Sequence, residues 1–267
     1  MKSGFVAMVG RPNVGKSTLT NRLCEEKVAI VSDKAGTTRD SIKGILTKGE
    51  TQYVFIDTPG IHKPKHLLGE HMTGIAIRTL KEVDCILFIL DGTQEISTGD
   101  QFVMERILEA GNTPRIAVIN KSDLFSDEEY AAKLAEVKEK LGEFNDVVML
   151  SSQFGFGVDR LLNSIKPFMT DEFWYYPDDM YTDMPVYKII GEIVREKILE
   201  RTQDEIPHSI AIEIINVSRR EEGKKDKYDV NIYVERNSQK GIVIGKDGKL
   251  LKEIGTEARK DIERLLD

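Results

Sequence analysis

The feature that most constrains this chain is a glycine-rich stretch, GRPNVGKS, at residues 10–17. An apolar run at residues 5–9 precedes it and a helical pattern at residues 18–27 follows it, which predicts a turn from a strand into a helix. Glycines let backbone N–H groups surround a phosphate, and the helix N-terminus adds its dipole. A chance glycine-rich turn is disfavoured, because every fixed position of the phosphate-loop pattern is filled. The sequence therefore predicts a nucleoside triphosphate site.

Residues of this loop have separate predicted roles. We expect Lys16 to reach the β- and γ-phosphates and the Ser17 hydroxyl to bind Mg²⁺. The nucleotide contacts predicted in the loop are Gly10, Arg11, Pro12, Asn13, Val14, Gly15, Lys16, Ser17 and Thr18.

Two later segments are predicted to complete the phosphate end of the site. In the polar stretch at residues 33–40, DKAGTTRD, one hydroxyl must reach the γ-phosphate and Mg²⁺, and we choose Thr38 over Thr37. A plain turn with Ser/Thr hydrogen bonds is the alternative. The strand pattern at residues 52–60 ends in DTPG, where Asp57 is predicted to hold Mg²⁺ and the Gly60 N–H to meet the γ-phosphate.

The segment at residues 61–69 holds two lysines, two histidines and a proline. This composition favours a loop that orders only when the γ-phosphate is present. A metal cluster of His62, His66 and His71 is disfavoured, because few carboxylates lie nearby in sequence.

A third motif indicates which base is bound. The strand pattern at residues 115–123 ends in NKSD, where the Asp123 carboxylate can accept hydrogen bonds from N1–H and the N2 amino group of guanine, a donor pair that adenine lacks. We expect Asn120 to meet the other base edge and Lys121 to pack along the ring. The strand pattern at residues 146–153 brings Ser151 and Ser152 to the same edge, which completes a predicted GTP and GDP site.

Strand patterns alternate with helical stretches at residues 99–110, 127–142 and 158–170. This alternation predicts a doubly wound α/β domain with a mostly parallel sheet at residues 1–173. We place a linker containing Pro and Asp at residues 174–184 and a second domain at residues 185–267.

Composition constrains the setting of these domains. The net charge of −7 comes from residues 1–184, with 21 basic and 28 acidic residues, whereas residues 185–267 hold 17 of each. Cys24 and Cys85 lack metal-ligand spacing and are interpreted as reduced core residues of a cytoplasmic protein. The sequence has no signal peptide and no apolar run long enough to span a bilayer, but leaves open a peripheral contact with the inner face of the cell membrane.

The second domain carries a candidate RNA site. A helical pattern at residues 187–202 precedes strand patterns at 209–217 and 228–235, and a GKDG loop at 245–248 lies between two further helical patterns. The glycines leave room for a sugar-phosphate backbone, and residues 236–252 hold five basic residues against one Asp. The predicted RNA contacts are Arg236, Lys240, Gly245, Lys246, Asp247, Gly248, Lys249 and Lys252.

The phosphate loop, TTRD, DTPG and NKSD, in that order, resemble translation-factor-class GTPases, and the second half resembles a KH module. End to end, the chain resembles the Era-type family of bacterial ribosome-assembly GTPases. The resemblance implies a monomer that hydrolyses GTP, binds small-subunit ribosomal RNA near its 3′ end and assists small-subunit assembly. It also implies that K⁺ binds at Asn13. The residues expected to act in catalysis are Asn13, Lys16, Thr38 and Gly60.

Two departures from these patterns affect the expectations. Ile61 occupies the place of the glutamine that orients water in Ras-type enzymes, so we expect slow intrinsic hydrolysis. The second domain is predicted to be a smaller α+β KH domain of type II that lacks its final strand, which leaves a sheet edge unpaired.

Two other functions stay open from the sequence. One is a metabolic P-loop kinase or ATPase, which the NKSD motif disfavours. The other is a second domain that binds protein, with the GxxG loop as a structural turn.

Overall fold

The computed structural model describes residues 1–267 except 33, 35–36, 64–66, 203–208, 219–225 and 267, and the side chain of Asp127. The described chain forms two compact units. The first unit comprises Met1–Ala29 and Thr38–Asp183, and the second comprises Ile30–Thr37 and Met184–Asp267.

The first unit is a six-stranded sheet with helices on both faces. Its strands are β1 (Lys2–Val9), β2 (Ile42–Lys48), β3 (Thr51–Asp57), β4 (Cys85–Asp91), β5 (Arg115–Asn120) and β6 (Asp146–Met149). Its helices are α1 (Lys16–Cys24), α2 (Leu67–Leu80), α3 (Thr98–Leu108), α4 (Asp127–Leu141) and α5 (Val158–Ile165). The strand order is β2-β3-β1-β4-β5-β6, and among these six described strands only the β2–β3 pair is antiparallel.

The central strands are apolar because both of their faces are buried. All seven residues of β4 are buried, and successive side chains enter opposite cores. Cys85, Leu87 and Ile89 belong to the core that also contains Leu19 of α1. Ile86, Phe88 and Leu90 belong to the other core, together with residues of α2, α3 and α4. The sheet thus holds the carboxyl ends of β1, β3, β4, β5 and β6 in a row, where the predicted motifs lie.

Two elements of this unit are not among the sequence predictions. Strand β2 alternates only weakly and pairs with β3 through a tight hairpin. Helix α2 starts at Leu67, so the last three residues of the loop predicted at 61–69 are helical. Its buried residues Met72, Ala76 and Leu80 recur every four residues, which is the signal that could have identified it.

The segment predicted as a linker lies with the first unit. The buried Gln52 side chain accepts the backbone N–H groups of Tyr175 and Tyr176 at 2.9 and 3.0 Å. Lys43 pairs with Asp183 at 2.7 Å. These contacts fasten the segment along β2 and β3.

The second unit contains α6 (Val186–Arg201), β7 (Ile210–Ser218), β8 (Lys227–Val234), α7 (Asn237–Ile244) and α8 (Lys249–Leu266). Strands β7 and β8 form an antiparallel sheet, and no third strand joins it within the described residues. The apolar positions predicted on the first helix, Ile189, Ile190, Ile193, Val194 and Ile198, are all buried. Helix α6 packs on α8, and Arg201 bridges to Glu253 and Glu257.

Cys24 and Cys85 are buried free thiols, as predicted. Burial is the main cause that raises the pKa of each thiol to about 12, so both are protonated and unreactive at neutral pH. Among the described helices, none is both long and apolar enough to cross a bilayer.

Candidate functional site

The phosphate loop turns directly from β1 into α1. Gly15, at the start of α1, has a φ of 98°, and a Cβ there would come within 2.2 Å of the Asn120 side-chain nitrogen. Only glycine fits both the backbone and the space. The Lys16 side chain is buried, and its Nζ donates to the Arg11 carbonyl at 2.9 Å and the Gly10 carbonyl at 3.4 Å. The ammonium therefore lies inside the curve of the loop.

The three predicted Mg²⁺ ligands lie together. Ser17 Oγ donates to Asp57 Oδ2 at 2.6 Å, and Thr38 Oγ1 lies 3.0 Å from Ser17 Oγ. Thr37 has a different contact, because its hydroxyl donates to the Lys34 carbonyl at 2.6 Å. Asp57 Oδ1 is buried and has no hydrogen-bond partner within the described residues. These four oxygens, one of them unsatisfied, suit a hard divalent cation.

Burial changes the ionisation of the two charged groups of this cluster. Asp57 is fully buried, and desolvation raises its pKa to about 6 against the opposing effects of Lys16 and Ser17. Desolvation lowers the pKa of Lys16 to about 8, although the Asp57 charge opposes that shift. Each charge is thus poorly solvated in the free site. A metal ion beside Asp57 and a phosphate beside Lys16 would relieve both penalties.

The remaining loop residues have definite places. The Gly10 carbonyl accepts the N–H of Ile61 at 3.0 Å, and the backbone of Gly60 packs against Pro12. Ile61 is fully buried in the core, so its side chain faces away from the phosphate loop. Asn13 is exposed with a φ of 66°, whereas Val14 is buried and Thr18 half-buried.

Asn120 has a structural role at the base end of the site. It is fully buried, its Nδ2 donates to the Val14 carbonyl at 2.8 Å, and its Oδ1 accepts the Ser152 N–H at 3.0 Å. These two bonds tie the phosphate loop to the loop after β6. Each amide atom has a second hydrogen-bonding position, and the contact with the base edge stays a prediction.

Asp123 remains at the surface of the base end. Its Oδ1 accepts the hydroxyl of Ser151 at 2.5 Å, so Ser151 and Asp123 are brought together from the ends of β6 and β5. Asp123 is an exposed residue, which leaves its carboxylate accessible to a ligand.

Asp91 is a site residue that the sequence predictions missed. It lies at the end of β4, nearly buried, and its Oδ2 pairs with Lys121 Nζ at 2.6 Å. Thr93 also donates to Asp91, from its N–H at 3.0 Å and its hydroxyl at 2.6 Å. These donors lower the pKa of Asp91 although burial, the largest single effect, opposes them. Asp91 therefore orients Lys121, and its place at the carboxyl end of a buried strand was the available signal.

Asp100 is a second missed residue. This buried carboxylate receives Arg11 Nε at 2.8 Å on one oxygen and the N–H and hydroxyl of Ser97 at 2.9 and 2.7 Å on the other. Ser97 caps α3, so the helix start holds the Arg11 side chain of the phosphate loop.

No group of three or more His, Cys, Asp or Glu side chains that could together hold a metal ion occurs among the residues that the structure describes. Of the three histidines considered for such a cluster, His66 lies outside those residues. The His62 ring lies 3.1 Å from the Lys63 carbonyl oxygen, and the His62 carbonyl accepts the Thr73 hydroxyl at 3.4 Å.

The candidate RNA site is the loop between α7 and α8. Gly245 has a φ of 73° and a Cβ there would lie 2.6 Å from the Leu250 Cβ, so this glycine is needed for packing. Gly248 has a φ of 72° with open space around it. Lys246 and Asp247 are exposed between them. The other basic residues predicted to contact RNA, Arg236, Lys240, Lys249 and Lys252, are exposed as well.

Comparison with known proteins finds a family match in each half of the chain. Residues 5–121 match the family described as 50S ribosome-binding GTPase, and residues 205–267 match the KH domain family. GTPase Era of Fusobacterium nucleatum is 65% identical over 266 residues, which are 100% of this chain and 90% of that protein. These matches confirm the predicted fold class, a P-loop GTPase domain with a mostly parallel sheet followed by a KH domain.

Two solved structures resemble the whole chain. A crystal structure of an Aquifex aeolicus Era variant bound to GDP and AlF4⁻ has a TM-score of 0.95 and 39% identity, and the match covers 100% of this chain and 90% of that chain. A crystal structure of Era with MgGDPNP and nucleotides 1506–1542 of 16S ribosomal RNA gives the same TM-score of 0.95, the same 39% identity and the same coverage.

Proposed function

The chain belongs to the Era family of GTPases, and we propose that it is a GTP-driven switch that binds small-subunit ribosomal RNA near its 3′ end and assists assembly of the small subunit. One observation carries this proposal. The same chain joins a cluster of Ser17, Thr38 and Asp57, suited to sense a metal-bound γ-phosphate, to an exposed GxxG loop with basic neighbours. The relative solved with MgGDPNP and 16S ribosomal RNA supports it.

The nucleotide is proposed to bind through the phosphate loop. Lys16 would bind the β- and γ-phosphates, with the backbone N–H groups of residues 10–18 around them. Ser17, Thr38 and Asp57 would hold Mg²⁺, because their oxygens converge and Asp57 Oδ1 lacks a partner among the described residues. Bound Mg²⁺ would neutralise charge on the β- and γ-phosphates. The Gly60 N–H would meet the γ-phosphate.

Guanine specificity is proposed to rest on Asp123, which is exposed and held by Ser151. Asn120 would act by joining the phosphate loop to the loop that carries Ser152.

A metabolic kinase or ATPase is the alternative function, and a competitive nucleotide titration distinguishes it from a GTPase. GTP and GDP should compete with a fluorescent guanine nucleotide. ATP should not compete even at about a hundredfold higher concentration, because a site built to hydrogen-bond a ligand N–H group rejects an analogue without it by about 10⁴-fold or more.

We propose that K⁺ assists hydrolysis at Asn13. Ile61 is buried and cannot orient water, so the transition state must be stabilised in another way. A cation beside the phosphates would do this by offsetting the negative charge that develops there. Asn13 is exposed at a φ of 66° within the phosphate loop, which suits an oxygen ligand for a cation.

Hydrolysis should be faster in K⁺ than in Na⁺ at equal ionic strength, by up to about a hundredfold, the effect of one preorganised charge-stabilising group. The difference should disappear in Asn13→Ala, measured as phosphate release at saturating GTP and Mg²⁺. Equal rates in the two salts for the parent would restrict Asn13 to a local role in its loop.

RNA binding is proposed to use the GxxG loop and its basic neighbours. The test is a titration of a fragment from the 3′ end of small-subunit ribosomal RNA. Gly248→Asp places a negative charge in open space, at a φ of 72° where Asp is strained less than most side chains, so it should weaken binding by about tenfold or more. Gly255→Asp is the matched control, since it adds the same charge at an open position of α8.

Retained RNA affinity in Gly248→Asp would favour the other candidate role, a protein-binding domain. Gly245→Asp is unsuitable for this test, because a side chain at Gly245 collides with Leu250 and would disturb the fold.

A cytoplasmic location, a monomeric state and peripheral contact with the inner face of the membrane stay predictions from the sequence.

A further inference from the structure

Helix α6 buries two adjacent opposite charges. Arg195 and Glu196 are each only 2% exposed, and such side chains are rarely this buried unless they have specific partners. Glu192, one turn earlier, receives Arg195 Nε at 2.9 Å and holds the guanidinium in place. Glu196 Oε2 lies 3.4 Å from Lys197 Nζ. The other Glu196 oxygen and Arg195 Nη2 bond to a segment far away in sequence.

That segment is Ile30–Thr37, which belongs to the same compact unit as α6. Glu196 Oε1 accepts the backbone N–H of Val31 at 2.8 Å, and Arg195 Nη2 donates to the carbonyl oxygen of Thr37. Ile30 packs in the apolar core of this unit together with Ile193. Consecutive residues of one helix therefore hold both ends of the segment.

The held carbonyl has a direct connection to the phosphate site. Thr37 is joined by its peptide bond to Thr38, whose hydroxyl lies 3.0 Å from Ser17 Oγ. A displacement of Thr38 must rotate this peptide group and change the hydrogen bond to Arg195. Arg195 Nη1 is buried without a partner among the described residues, so the guanidinium has a spare donor for a second position of the segment.

We propose that Arg195 and Glu196 are positioning residues that transmit the nucleotide state of Thr38 to the RNA-binding unit. The inference rests on the proposed function, in which Thr38 binds Mg²⁺ in the GTP state. In one nucleotide state the two bonds hold Val31 and Thr37 on α6, and in the other state the movement of Thr38 strains or replaces these bonds. Because such coupling is reciprocal, RNA binding also biases the position of Thr38.

The experiment measures how much the nucleotide changes RNA affinity. The RNA fragment is titrated with the full chain bound to a non-hydrolysable GTP analogue and, separately, to GDP. We expect the two affinities of the parent to differ by about fivefold or more, the usual lower size of allosteric coupling. In Arg195→Met and Glu196→Leu the ratio should fall to within about twofold of one, while each variant still binds both nucleotides.

Two further variants separate coupling from stability. Glu196→Gln keeps an oxygen that accepts the Val31 N–H and should retain the parent ratio. Arg201→Met removes the ion pairs from α6 to Glu253 and Glu257 and leaves the bonds to Val31 and Thr37 in place. It should therefore also retain the ratio. Hydrogen exchange gives a second readout, since the Val31 amide should lose protection in Glu196→Leu and keep it in Glu196→Gln.

The outcomes distinguish this inference from the proposed function. A parent ratio close to one shows that no switch connects nucleotide to RNA, which overturns the proposed function and the inference together. A parent ratio of about fivefold or more that persists in both Arg195→Met and Glu196→Leu leaves the switch in place and overturns the inference alone. Loss of the ratio in Arg201→Met as well would assign the effect to stability of the unit, and would equally overturn the inference.

Discussion

Asp57 and Lys16 are the ionisable residues that the phosphate site buries, and their pKa values move toward each other. The pKa of Asp57 is raised to about 6 and that of Lys16 is lowered to about 8, both mainly by desolvation. A buried carboxylate with a raised folded-state pKa favours folding while it is protonated. Its contribution to stability is therefore present below the unfolded pKa of about 4 and is lost as pH rises through about 6. At neutral pH the free site therefore holds two poorly solvated charges, and binding of a metal ion and a phosphate would stabilise them.

This ionisation predicts a pH-dependent affinity for Mg²⁺. Only the carboxylate form of Asp57 binds metal, so the affinity of the nucleotide complex for Mg²⁺ should fall by roughly tenfold per pH unit below about 6 and be constant above it. Calorimetric Mg²⁺ titrations from about pH 5 to about pH 8 measure this. Asp57→Asn is the matched control, because its remaining pH dependence reports the titration of the phosphates alone. Identical profiles in parent and control would contradict the assignment of Asp57.

Single residues show where sequence reasoning works and where it stops. Ser17, Thr38 and Asp57 were predicted as a group, and they do lie together, because binding a phosphate and a metal restricts the residue type and spacing at each position. Asp91 and Asp100 were missed. Asp91 acts through Lys121, which lies 30 residues away along the chain, and Asp100 acts through Arg11, which lies 89 residues away. A lone carboxylate in the sequence gives no local sign of such a partner.

At the scale of elements, helix starts and loops carry the candidate sites. Helix α1 begins at the phosphate loop, the capped start of α3 holds Arg11, and α8 begins directly after the GxxG loop. Strand β2 and helix α2 were missed for different reasons. The pattern of β2 depends on pairing with β3, whereas α2 follows a loop whose polar composition hid its first turn.

The element-scale prediction concerns the exposed loop between α7 and α8. If Lys246 neutralises one RNA phosphate, Lys246→Ala should reduce the slope of log affinity against log salt concentration by about 0.7, the value for one contact with a single strand. Binding isotherms at several salt concentrations measure the slope. Lys260→Ala is the matched control, since it removes one exposed charge from α8 farther along the helix. An unchanged slope in Lys246→Ala would remove Lys246 from the phosphate contacts.

At the scale of the whole molecule, the compact units do not follow the order of the chain. The sequence predicts one change of domain, across a linker at residues 174–184, whereas the contacts divide the chain between Asp183 and Met184. They also assign Ile30–Thr37 to the second unit, through hydrogen bonds to residues more than 150 positions later. Composition and periodicity describe neighbours in sequence, so a short segment that packs with a distant helix leaves no signal in them.

The two buried cysteines have a practical consequence. Buried thiols with a pKa near 12 are expected to react very slowly with maleimides at neutral pH. The natural chain therefore behaves toward such reagents as if it had no cysteine. One cysteine introduced at any exposed position can then carry a single fluorophore or spin label, without the core substitutions that usually precede such labelling.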